Sequence, residues 1–154
     1  MSSLLNLEGV LNGLIELYEK LVELTEKERE YLINIDGEGL EKLTKQKQLI
    51  ADELESKKSQ LKEILSLYDA ENISEFLFIV SENREVDHLR MLNGKLQKTI
   101  DKFVLKSNVN KMIATENLQF FNGLLNLYGS LFSKENYDKN AQTPINAQIM
   151  SVRV

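Results

Sequence analysis

The side chain in this sequence best suited to carry a phosphoryl group or shuttle a proton is its one histidine, His88. It stands in Asp87-His88-Leu89-Arg90-Met91-Leu92-Asn93-Gly94. A phosphate-accepting histidine needs a small residue one helical turn on, so that a partner can approach the imidazole. Gly94 comes two positions too late for that spacing, and a solvated surface histidine is the simpler reading. Carboxylates are frequent but alternate with cations, as in Glu26-Lys27-Glu28-Arg29-Glu30 and Lys45-Gln46-Lys47. Such runs are solvated helix faces with pairs four residues apart. A di-iron bundle needs two Glu-x-x-His motifs, and the second is missing: the chain has one histidine and so a single such spacing, Glu85-Val86-Asp87-His88. A glycine-rich phosphate loop, a Gly-x-Ser-x-Gly turn and a His-x-x-x-His pair are also missing. We therefore expect no enzyme, no catalytic residue, no metal and no cofactor.

Composition narrows the field further. The 154 residues make one domain by length and can bury a core. A net charge of −5 without a basic cluster argues against a nucleic-acid partner. Cysteine is absent, which removes disulfides and thiol chemistry and fits a reducing compartment. The opening Met1-Ser-Ser-Leu-Leu-Asn-Leu-Glu8 lacks the basic start of a signal peptide, and no apolar run is long enough to span a bilayer. A cytoplasmic protein without membrane insertion is expected.

An apolar residue recurs every three or four positions from Leu4 to Leu131, and the only proline, Pro144, lies beyond that run. This period predicts long α-helices packed along narrow seams. The fold expected is all-α, an elongated antiparallel helical bundle or coiled coil of three long helices and one short connecting helix. The first helix is placed at 4–35, with a seam through Leu7, Leu11, Leu14, Tyr18, Leu21, Thr25, Glu28, Leu32 and Ile35. Asp36-Gly37-Glu38-Gly39 breaks it; the glycines would supply the turn and Asp36 would cap the next helix. The second helix is placed at 40–68, with Leu40, Leu43, Lys47, Ile50, Leu54, Lys57, Leu61, Ile64 and Tyr68 on its seam. So short a connection makes the two antiparallel. Asn72 and Glu75 resemble a capping box opening a short helix at 73–81. The third long helix is placed at 83–132, with Val86, Leu89, Leu92, Leu96, Ile100, Phe103, Ser107, Asn110, Ile113, Asn117, Phe120, Leu124, Leu127 and Leu131 on its stripe. The domain expected is thus 1–132, followed by a polar, proline-containing stretch, 133–154, that reads as a mobile tail.

At ~1.5 Å per residue the first two long helices are each roughly 45 Å long and the last roughly 75 Å. The last draws level with the 36–39 turn near residue 117. Residues 118–132 must then overhang, bend back or meet another molecule. The same arithmetic aligns Thr25, Glu28, Lys47, Ser107 and Asn110 as one polar layer. A carboxylate, an ammonium and an amide together could be read as a catalytic site. They serve better as a register device, because a paired buried charge fixes alignment at little net gain while an unpaired one is costly.

Several stretches together resemble the FlgN family of flagellar export chaperones. They are Leu24-Thr-Glu-Lys-Glu28, Asp36-Gly-Glu-Gly-Leu-Glu-Lys-Leu43, Lys45-Gln-Lys47, Asn108-Val-Asn110 and Tyr137-Asp-Lys-Asn140. The family often has glycine four residues after that tyrosine, and this chain has Ala141. The resemblance covers nearly the full chain. It implies a bacterial cytosolic chaperone that holds the disordered C-terminal segments of hook–filament junction proteins and delivers them to the flagellar type III export gate, with the export ATPase as a further candidate partner.

The residues themselves point to where a client would bind. Beyond residue 117 the other helices run out, so the last third of the final helix lacks intramolecular cover unless it bends. Phe120, Phe121, Leu124, Leu125, Tyr128, Leu131 and Phe132 are the expected client-binding residues, helped by Tyr137, Ile145, Ile149 and Val152 of the tail. Capture of an amphipathic client helix suits such a surface. The chain itself is expected to be a monomer or weak dimer. The rival readings are a coiled-coil scaffold and a histidine phosphotransfer domain using His88.

Overall fold

The computed structural model describes residues 2–80 and 85–132. It holds four helices and, among the described residues, no strand: α1 (Ser2–Asn34), α2 (Gly37–Ser66), α3 (Ile73–Ile79) and α4 (Glu85–Phe132). The all-α helical bundle read from the period is the fold observed. The expected tail, 133–154, and the start of the last helix at 83–84 lie outside the described residues. The chain divides into two compact units, one of residues 1–23 and 49–104, the other of residues 24–48 and 105–154.

The first unit has an apolar core. α1 buries nearly two residues per turn here: Leu7, Val10, Leu11, Leu14, Ile15, Leu17, Tyr18, Leu21 and Val22. So wide a stripe allows one helix to face two neighbours. α2 contributes Leu54 and Leu65, and α4 contributes Val86, Leu89, Leu92, Leu96 and Phe103. Tyr18 packs its ring against Phe103 at 6.2 Å. The Lys57 stem lies over Gly13, where an added Cβ would meet Lys57 Cε at 3.1 Å. Burial, and secondarily the Glu55 carboxylate, pushes the Tyr18 phenol up to about 12.

α3 closes this unit. Asn72 Oδ1 accepts from the Glu75 N–H at 2.8 Å, and Glu75 Oε2 accepts from the Glu71 N–H at 2.7 Å. This is a capping box whose return bond is shifted by one residue. Of the apolar run 76–80, Phe76 and Leu77 are buried, and Phe76 meets Tyr68 edge-on at 4.8 Å. Phe78 and Ile79 face solvent.

The second unit contains the α1–α2 hairpin, and here the sequence reading needs correcting. The glycines do not make the turn, since no described glycine has positive φ. Ile35 does, at φ 55°, and it is half exposed rather than part of the seam. The reason is the way α1 ends. The Asp36 N–H donates to the Tyr31 carbonyl and the Ile35 N–H to the Leu32 carbonyl, a Schellman ending that requires a left-handed residue at position 35. α2 then starts at once at Gly37, with the Gly39 N–H donating to Asp36 Oδ1 at 2.9 Å. Gly39 is needed for space: an added Cβ would lie 2.7 Å from Asp36 Oδ2 and 2.9 Å from Tyr31 Cδ1. The same device ends α2, with Asp69 at φ 52° and the Ala70 N–H bonded to the Leu65 carbonyl.

The apolar core of this unit is small: Leu32, Leu40 and Ala114, with Tyr31 and Ile113 packed against them, and Leu43 buried nearby in sequence on α2. α4 runs alongside α1 in the same direction, for Asn110 reaches Thr25 and Glu28 while Asn117 donates to the Leu32 carbonyl at 2.8 Å. α4 continues unbroken past that point to Phe132.

Candidate functional site

Four polar residues are buried in the second unit: Thr25, Glu28, Lys47 and Asn110. Glu28 uses both oxygens. Oε2 accepts from Lys47 Nζ at 3.0 Å, and Oε1 accepts from Asn110 Nδ2 at 2.9 Å. Asn110 Nδ2 also donates to the Thr25 carbonyl at 2.7 Å, while Asn110 Oδ1 accepts from Arg29 Nε at 3.2 Å. Three helices are therefore locked in register by one network. Ser107, placed at the same level by rise per residue, is half-buried. The network is closed and well paired, which suits alignment; it presents no open position to a substrate.

The other sequence candidates fall elsewhere. His88 is exposed and faces Glu8 Oε1 at 3.1 Å. Two open hollows, of about 310 and 320 Å³, flank Asn93 and Ser74 in the first unit. Neither is lined by a histidine or by a pair of carboxylates. The described residues contain no group of three or more histidines, cysteines or acids that could hold a metal ion.

The end of α4 differs from the rest of the chain. Residues 117–132 carry no charged side chain, in a protein that is 28% charged. Phe120 is 61% exposed, Phe121 38% and Leu127 56%, while Leu124 and Leu125 are half-buried. The Phe120 and Phe121 rings meet at 6.0 Å. Tyr128, Leu131 and Phe132 belong to the same helix, but their side chains are outside the described residues, as are Tyr137, Ile145, Ile149 and Val152. The structure thus brings the four residues from Phe120 to Leu125 onto one charge-free helical segment. Depletion of charge with retention of aromatics is the compositional mark of an interface centre. Two further features mark this end: the charge-free run itself, legible in the residues, and the exposure of Phe120 and Leu127, which the period alone would place on the covered seam.

A helical bundle whose final helix exposes an uncharged apolar surface is, by class, a protein-binding module. The family model described as FlgN protein matches residues 1–145. The chain belongs to that family and is a flagellar export chaperone. Comparison with curated proteins and with solved structures gave no match. No helix among the described residues is long and apolar enough to cross a membrane.

Proposed function

We propose that this chaperone binds the C-terminal segments of hook–filament junction proteins, keeps them soluble and unassembled in the cytoplasm, and hands them to the type III export gate. The observation that supports this reading is the charge-free end of α4, with Phe120, Phe121 and Leu127 exposed on it. An amphipathic client helix needs an apolar surface of this length, and aromatic anchors dominate such contacts. The client site comprises Phe120, Phe121, Leu124, Leu125, Tyr128, Leu131 and Phe132. Tyr137, Ile145, Ile149 and Val152 of the C-terminal stretch add to it.

Calorimetry with synthetic C-terminal segments of junction proteins tests the proposal. One-to-one binding with a negative heat-capacity change is expected, because apolar surface is buried. Segments that fail to bind, while a filament-cap or flagellin C-terminal segment binds, would assign the chaperone to another flagellar client.

A further inference from the structure

In the first unit, α2, α3 and α4 together line a groove made of two hollows. The first, about 310 Å³, is lined by Lys58 and Lys62, one turn apart on α2, with Ser74 of α3 and Asn93 of α4. The second, about 320 Å³, is lined by Ser74 and Phe78 of α3 and by Arg90 and Asn93 of α4. Ser74 and Asn93 belong to both, so the hollows run into one another.

Charge says part of what the groove takes. Three cations, Lys58, Lys62 and Arg90, stand against one carboxylate, Glu71, on a chain whose net charge is −5. Lys58 and Arg90 touch only exposed acids of their own helices in the ion pairs they make, Glu55 at 3.9 Å and Asp87 at 3.0 Å. Such surface pairs are weak and exchange readily for an incoming carboxylate. An apolar anchor is also present. Phe78 is 80% exposed at the rim of the second hollow, while Phe76 and Leu77 are the residues that hold α3 in place. The last element is Asn93. Its Oδ1 is shut away from solvent and accepts no hydrogen bond among the described residues. Folded chains rarely leave such an atom unpaired. Turning the amide toward the groove breaks no bond of Oδ1 and lets it accept from a backbone N–H.

We infer that this groove docks an acidic peptide segment of a partner protein. Its carboxylates meet Lys58, Lys62 and Arg90, an apolar side chain lies on Phe78, and a backbone N–H binds Asn93 Oδ1. A polypeptide carries all three groups along one chain, whereas a small anion leaves both Phe78 and Asn93 unserved. The groove shares no residue with the proposed client site on α4 and does not depend on the client reading.

Fluorescence anisotropy with the full chain tests this, using a labelled peptide that alternates leucine and glutamate beside the same peptide with lysine in place of glutamate. The acidic peptide should bind at least about tenfold tighter than the basic one. Lys58→Glu combined with Lys62→Glu should reverse that order, which a damaged fold could not do. Asn93→Leu should weaken the acidic peptide by about tenfold while the melting temperature holds or rises, because the unpaired oxygen is gone. Phe121→Ser combined with Leu125→Ser should leave this binding unchanged. Binding of neither peptide, equal binding of both, an order that survives the charge reversal, or undiminished binding by Asn93→Leu would overturn the inference. Loss of binding in the Phe121 and Leu125 variant would put the peptide on the client site and overturn it too. Nuclear Overhauser contacts between Asn93 and residues 133–154 in the free chain would overturn it in favour of the chain's own end as the occupant.

Discussion

Lys47 Nζ lies 3.0 Å from Glu28 Oε2, with the two side chains only 3% and 2% exposed. A buried ion pair of this kind is tolerable because every polar atom around it is engaged, here through Asn110 and Arg29. Removing one partner leaves an uncompensated buried charge. Lys47→Met should therefore destabilise the protein by about 3–5 kcal/mol. Replacing Glu28 and Lys47 together with methionine should recover most of that loss, because Asn110 still donates to the Thr25 carbonyl. Urea unfolding of the two variants gives the comparison. A double variant as unstable as the single would mean that the pair contributes net stability and not only register.

The hairpin offers a test in both directions. Ile35 holds a left-handed conformation that costs a branched residue about 1–2 kcal/mol, while glycine adopts it freely at some entropic cost. Ile35→Gly should raise stability by up to about 1 kcal/mol. Gly39→Ala should lower it by about 1–2 kcal/mol, since the new methyl displaces the Asp36 carboxylate from its cap. Thermal melts that rank the variants in the opposite order would refute this account of the turn.

Tyr18 makes stability depend on alkaline pH. In the unfolded chain a tyrosine ionises near 10, whereas burial and the Glu55 carboxylate push the folded phenol up to about 12. The folded state thus keeps a proton that the unfolded state releases. The stabilisation is complete below pH 10 and is lost as pH rises through about 12, a loss of order 2 kcal/mol. Between pH 9 and 12.5 the wild type should lose stability relative to Tyr18→Phe, as read from the melting curves of both. Parallel curves across that window would show that Tyr18 does not titrate as described.

The sequence displays the helices because each must bury a stripe, and the stripe has the helical period whatever its neighbours are. It also marks Thr25, Glu28, Lys47 and Asn110 as interruptions of those stripes, and a fixed rise per residue is enough to put them at one level. The turn is different. Glycines at 37 and 39 look like the bend, but the hydrogen bonds that end α1 demand the left-handed residue at 35, where a branched side chain gives no local hint. The far end of α4 differs for another reason. The period puts Phe120 and Leu127 on the helix's seam, yet they stand 61% and 56% exposed, because a period marks an apolar stripe without saying what covers it. Nor does it say which partner finally covers Phe121 and Leu125.

That question sets the last prediction. Phe121 continues the line of Asn110, Ala114 and Asn117 along α4, but α1 ends at Asn34 and the Asn117 bond to Leu32 is one turn from that end. Beyond it the helix continues with Phe121 at 38% exposure and no charge to Phe132. Side chains that contribute little to the chaperone's own core should contribute little to its stability. Phe121→Ser combined with Leu125→Ser should shift the unfolding free energy by no more than about 1 kcal/mol and leave helicity unchanged. The same variant should lose binding of a junction-protein C-terminal segment by two orders of magnitude or more, as expected when two central anchors of a small interface are removed (about 2.8 kcal/mol). Leu32→Ser is the contrasting control: Leu32 is 2% exposed and packed with Leu40 and Ala114, so its loss should unfold the hairpin end and weaken binding only through that instability. If instead the Phe121/Leu125 variant melts as early as Leu32→Ser, the end of α4 belongs to the chaperone's own core, and the client must be sought on the outer face of the helix, around Phe120 and Leu127.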